Sequence, residues 1–93
     1  MFPKILDGAE VLFYTEKADF GNMHYTTGEI AAYFRYLAIC KYENKEGYYL
    51  FKCNENIEVE SDFLFDSIKE CMSYAEDTYI NVKWIKMIWS INK

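Results

Sequence analysis

LAICKYENKEGYYLFKC, residues 37–53, sets two strand-forming runs on either side of Asn44-Lys45-Glu46-Gly47. A short connection containing glycine between two such runs predicts a β-hairpin. Placing Glu43 opposite Tyr48 pairs Tyr42 with Tyr49, Cys40 with Phe51 and Ala38 with Cys53. Side chains alternate with period two along a strand, so the hairpin has two distinct faces. One carries Phe34, Tyr36, Ala38, Cys40, Tyr42, Tyr49, Phe51 and Cys53, and is expected to be the core. The other carries Tyr33, Arg35, Leu37, Ile39, Lys41, Tyr48, Leu50 and Lys52, and is mixed. Cys40 and Cys53 fall diagonally on the first face, ~7–8 Å apart, too far for an unstrained disulfide.

Upstream, VLFYT over residues 11–15 predicts a first strand. Residues 17–28, punctuated by Gly21-Asn22 and Thr26-Thr27-Gly28, read as a loop of about a dozen residues. Residues 29–36 tolerate a helix, but continuous strand is the more economical reading. Downstream, the alternation of Ile57, Glu58, Val59 and Glu60 predicts a short strand. Ser67 followed by Glu70 is a capping box, and Ile68, Cys71, Met72, Ala75 and Tyr79 recur as one apolar helical stripe. Asp62 and Asp66 stand before or at the helix start, where its dipole favours negative charge. The helix is expected to end near Ile80 and Asn81. Residues 82–91, VKWIKMIWSI, predict a final strand covered on both sides. The expected fold is α+β, in the order β-β-β-β-α-β: an antiparallel sheet of about five strands with one amphipathic helix on one face.

Ninety-three residues allow one domain, spanning residues 1–93. Nine Tyr, seven Phe and two Trp supply a dense core for so short a chain, and they exclude disorder. Phe, Tyr, Met, Ile, Asn and Lys all have AT-rich codons, so their abundance fits an AT-rich bacterial gene.

Charge is unevenly spread. Residues 54–77 hold eight acids and only Lys69, a net charge of −7 within a chain of −5. Such a surface repels phosphate backbones, so no nucleic-acid partner is expected. Three scattered cysteines without C-x-x-C suit reduced thiols and a cytoplasmic location. No apolar run approaches membrane-spanning length, so no membrane partner is expected either. A single histidine and dispersed cysteines predict no metal site, and no phosphate or dinucleotide fingerprint implies a cofactor. His24, in the loop with Asp19, Tyr25, Thr26 and Thr27, is the nearest approach to a catalytic cluster.

The hairpin with its Tyr48-Tyr49 pair, the stretch ESDFLFDSIKECMSYAEDTY and the following Lys83-Trp84 resemble small bacterial α+β single-domain proteins, mostly uncharacterised. Some of these are similar to immunity proteins encoded beside polymorphic toxins. The likeness covers about residues 37–84 and brings no catalytic residues with it.

The expected function is therefore a non-enzymatic protein-binding module, of immunity type in the form the resemblance implies. It would meet a basic toxin partner through the acidic residues Glu55, Glu58, Glu60, Asp62 and Asp66. Tyr33, Arg35, Leu37, Tyr48 and Leu50, on the mixed sheet face, would complete the contact surface. A homodimer joined through Tyr33, Leu37, Tyr48 and Leu50 is the alternative, and a small enzyme using the His24 loop the third.

Overall fold

Tyr36–Lys41 (β5) and Tyr48–Cys53 (β6) form the central hairpin of a computed structural model that describes residues 2–89. Tyr36 pairs with Cys53, Ala38 with Phe51 and Cys40 with Tyr49. The register is displaced by two residues from the expected one, because the connection runs from Tyr42 to Gly47. Two bonds close it: Lys45 N–H donates to the Tyr42 carbonyl, and the Lys41 ammonium donates to the Lys45 carbonyl. Gly47 has φ +87°, and a Cβ there would stand 2.9 Å from the Phe65 carbonyl oxygen, so a side chain is sterically refused. A displacement of two preserves side-chain parity, so residues 36–41 and 48–53 keep their expected faces; Phe34, expected on the apolar face, instead packs with Leu37 and Leu50, and Tyr33 belongs to a separate hairpin, because the strand breaks at residues 34–35.

Around this hairpin lie Ile5–Leu6 (β1), Ala9–Tyr14 (β2), Val59–Phe65 (β7) and Ile85–Lys86 (β8). The antiparallel sheet runs β1-β2-β5-β6-β7, and β8 also pairs with β2. Both ends of the described chain thus meet on one strand: Leu6 pairs with Ala9, and Ile85 with Tyr14. Asn22–His24 (β3) and Ile30–Tyr33 (β4) form a separate two-stranded hairpin. The architecture is α+β, with the helix Ile68–Thr78 (α1) near the C-terminal end.

The helix lies on the mixed face. Leu37, Ile39 and Leu50 are fully buried with Cys71 and Ala75 of α1, and Phe20 and Phe34 join them. The face expected to be the core is therefore not the one that receives the helix. The mixed face is polar only at its periphery, at Arg35, Lys41 and Lys52, while its centre is aliphatic. The apolar face is covered by the chain ends. Phe2, Leu6, Ala9, Val11 and Met87 bury Ala38, Cys40, Phe51 and Cys53. Phe2 stacks on Tyr14 with ring centroids 4.7 Å apart. A bulge between Val11 and Phe13 lets β2 serve both sides: Val11 stands opposite Cys40, whereas Phe13 stands opposite Ile39.

Several element boundaries differ from expectation. Residues 17–28 contain β3, a strand with one apolar residue, Met23, and so without a periodic signal. Residues 29–36 are strand but break at Phe34 and Arg35. There Phe34 bonds through its N–H and carbonyl to Gly21 and Phe20, and Arg35 N–H turns to the Cys53 carbonyl. The strand expected at residues 57–60 begins at Val59 and runs on to Phe65; Ile57 itself sits at φ 59° in the preceding turn. Helix α1 starts as expected. The Ser67 hydroxyl accepts from Glu70 N–H, and the Glu70 carboxylate accepts from Asp66 N–H, one residue earlier than a capping box requires. It ends at Thr78, short of Ile80, although Asn81 does take the left-handed conformation at φ 60°. Of the final strand expected over residues 82–91, only Ile85–Lys86 pairs, and Ser90 and Ile91 lie outside the described residues.

Where β2 ends, Thr15 is buried and closes the ladder twice. Its N–H donates to the Leu37 carbonyl and its hydroxyl accepts from Leu37 N–H, at 3.0 and 3.1 Å. Thr15→Val keeps the shape but strands a buried donor, and should lower unfolding free energy in urea by ~1–3 kcal/mol. Thr15→Ser, which keeps the oxygen, should lose less. Equal stability of Thr15→Val and the parent would show that this bond contributes nothing.

Candidate functional site

Strand β7 is the outer edge of the sheet, and among the described residues no strand pairs with its far side. The turn that leads into it is organised by Asn54. Its side-chain carbonyl accepts from Asn56 N–H (2.8 Å) and Glu58 N–H (3.1 Å), an Asx turn. Its amide nitrogen donates to Glu58 Oε1 at 2.9 Å and Glu60 Oε2 at 2.7 Å, which draws two carboxylates together. Glu55, Glu58, Glu60, Asp62 and Asp66 are all exposed along this turn and strand. Among the described residues the ion pair within 4 Å is Arg35 with Asp19, so none of these five acids has a cationic partner there. Between the acids, Phe63 and Leu64 are 39% and 57% exposed on opposite sides of the strand.

The cation nearest in the ladder is drawn elsewhere. Lys52 stands opposite Ser61, yet its ammonium lies among four rings beneath the helix: Phe63 at 4.8 Å, Phe34 at 5.3 Å, Tyr79 at 5.6 Å and Tyr74 at 5.8 Å from the centroids. Aromatic faces carry negative potential and hold a cation without a counter-ion. Tyr74 in turn packs edge-on against Phe63 at 5.6 Å, tying α1 to β7. Lys52 is therefore an internal fastening, which leaves the edge acids unneutralised.

The sheet-face residues do not form one surface. Leu37 and Leu50 are 0% exposed under α1, so, contrary to expectation, they offer no contact surface. Tyr48 is half-buried, with the Lys41 ammonium 5.4 Å from its ring. Tyr33 is 48% exposed on β4, and the Arg35 guanidinium stacks on it at 4.7 Å while reaching Asp19 at 3.5 Å. A homodimer face made of Tyr33, Leu37, Tyr48 and Leu50 is thus not presented by the folded chain.

His24 is exposed on β3, and Asp19 is engaged by Arg35 and by Gly21 N–H at 3.0 Å. The two do not act on one another, and His24 lines none of the three grooves the surface shows most clearly. One of these, ≈ 400 Å³, is walled by Thr15, Lys17, Phe20 and Lys83 and contains no acid–base pair with His24. Among the described residues no three His, Cys, Asp or Glu side chains converge as metal ligands would. No described helix is long and apolar enough to cross a membrane.

All three thiols are free and buried. Burial, with the nearby Asp7 and Glu60 charges, pushes Cys53 up to about 12; burial and Glu70 raise Cys71 to about 11; Cys40 is raised too, by burial first. Compared with family models, curated proteins and solved structures, the chain matches none.

Of the residues forming the open edge, the acids were legible in the sequence. Phe63, Leu64 and the organising Asn54 were missed. An Asn with acids four and six positions on was the available signal for the last.

Lys52→Met, which keeps the stem and removes the charge, should cost about 1–2 kcal/mol in urea unfolding, and Lys52→Arg less. Undiminished stability of Lys52→Met would mean that the rings hold the stem alone. The thiols should resist a disulfide-exchange reagent at pH 8 in the native state and react fully in urea; native reaction would contradict their burial. Unfolded thiols ionise near 9.0, whereas Cys53 stays protonated to about 12. Their contribution is complete below pH 9 and is lost as pH rises from there towards 12.

Proposed function

We propose that this chain is a protein-binding module that engages a basic protein through the acidic turn and edge strand β7. One observation carries the reading: Glu60 and Asp62 on the free edge strand, with Glu55, Glu58 and Asp66 in the segments at its two ends, are five exposed carboxylates, and none has a cationic partner among the described residues. An uncompensated charged band leaves a field that attracts a complementary partner and speeds encounter. The resemblance of residues 37–84 to immunity-like proteins gives this its sharpest form, a protein that shields a basic toxin. Tyr33 and Arg35 on the β4 side belong to the contact only if the partner reaches beyond β7. A catalytic role for His24 lacks support from its surroundings, since its imidazole is exposed and its sequence neighbour Asp19 is held by Arg35.

The test is co-expression with the products of the neighbouring genes, followed by size-exclusion chromatography and binding kinetics at several salt concentrations. A stoichiometric complex with a basic protein is expected. Its association rate should fall at least ~10-fold in Glu58→Lys/Glu60→Lys/Asp62→Lys, and also fall with ionic strength. Because the lysines also remove the acceptors of the Asn54 amide, the charge is tested separately by Glu58→Gln/Glu60→Gln/Asp62→Asn, which keeps side-chain carbonyl acceptors, should unfold at a temperature close to the parent's, and should likewise associate more slowly. A partner bound equally well by these variants, or no basic partner among those products, overturns the reading.

A further inference from the structure

We infer that the free edge of β7 receives an extended basic segment of the partner as an added antiparallel strand. This rests on the acidic-edge reading above and specifies how that surface binds. The two edges of the sheet differ in a way that points here. On the β2 side, β1 and β8 divide the edge between them, and the gap is stitched by Val11 N–H to the Lys4 carbonyl and Met87 N–H to the Leu12 carbonyl. On the β7 side, seven residues of strand end the sheet with no such cover among the described residues. The N–H and C=O groups of a regular strand point alternately to its two sides, so Ser61–Phe65, beyond the irregularity that sets Lys52 opposite Ser61 but Cys53 opposite Val59, offers a row of them outward. Proline and lysine, common guards of such an edge, are absent from Val59–Phe65.

The acids choose the occupant. A second copy of the chain would pair β7 with β7. Centring that pairing on Ser61 sets Glu60 against Asp62, and centring it on Asp62 sets that carboxylate against its own copy. Both of these registers set carboxylate against carboxylate with no cation between them, and like charges across strands are destabilising. A basic strand reverses the sign of the same term. Side-chain parity then specifies its pattern. Asp62 and Leu64 point to the side of Phe51 and Tyr49, whereas Ser61 and Phe63 point to the helix side with Lys52 and Leu50. An antiparallel partner strand therefore wants apolar residues opposite Leu64 and Phe63, a base opposite Asp62, a small residue opposite Ser61, and a second base towards Glu60. Thr-Val-Val-Arg-Thr-Arg, read from opposite Phe65, meets these requirements, and all pairings in the sheet are already antiparallel.

The experiment uses the full chain and this capped hexapeptide, with two further versions N-methylated on alternate residues in opposite phase. Methylation leaves every charge in place and removes alternate backbone donors. An added strand turns only one phase of its N–H groups towards β7. The expected result is that one methylated peptide binds at least ~10-fold more weakly than the parent peptide while the other stays within about twofold. Amide exchange within Ser61–Phe65 should slow on binding of the parent peptide, and the Glu60→Lys/Asp62→Lys variant should lose the interaction. Equal binding of both methylated peptides overturns strand addition while leaving the acidic-edge reading intact. No binding of the parent peptide at millimolar concentration overturns strand addition, and the co-expression experiment separately decides the broader reading. A concentration-dependent dimer with slowed Ser61–Phe65 exchange in the absence of peptide would seat a second copy there and also overturn it.

Discussion

Burial of the β5–β6 hairpin on both of its faces is the constraint from which the rest of the molecule follows. Leu37, Ile39 and Leu50 on one side and Ala38, Cys40, Phe51 and Cys53 on the other are all withdrawn from water. A sheet with two apolar faces needs two covers, and the described residues contain one helix to give. The helix takes the side whose centre is aliphatic. The opposite side is closed by Phe2, Leu6 and Met87, delivered by the two ends of the described chain. That division explains why β1 and β8 are only two residues long: they fix the ends of covering segments rather than widen the sheet. It also explains the inert cysteines, which act as small apolar residues in the two interiors.

A consequence of spending both chain ends on β2 is that nothing described remains to cover β7. The sheet is closed on one edge and open on the other. Open edges invite unwanted pairing, and here the acids supply the protection that a covering segment supplies on the far side. Lys52 contributes to this division of labour. Held among Phe34, Phe63, Tyr74 and Tyr79, it secures the helix to the sheet and pairs with neither Glu60 nor Asp62. The same arrangement thus stabilises the fold and keeps the edge chemically distinctive.

Much of the fold could be read from local pattern. The hairpin, the Ser67 cap, the helical stripe of Cys71 and Ala75, and the α+β class all depend on residues close in sequence. The errors share a cause. The hairpin register moved by two because loop length depends on Gly47 packing against Phe65, a contact between strands. The β3 strand was hidden because its pairing with β4, rather than its own composition, makes it a strand. The length of β7 was hidden because Phe63, Leu64 and Phe65 run consecutively and break the period of two.

Residue order alone settled which side chains of the β5–β6 hairpin share a face, since parity along a strand is local and survives a shift of two. It also determined that acids concentrate over residues 54–77. Which face the helix covers depends on packing between distant segments, because both faces are apolar enough to accept it and the two ends of the described chain reach the other. The same packing buried Leu37 and Leu50 and left β7 bare. The candidate surface is therefore the sheet's edge, where, among the described residues, backbone groups without partners and carboxylates without cations coincide.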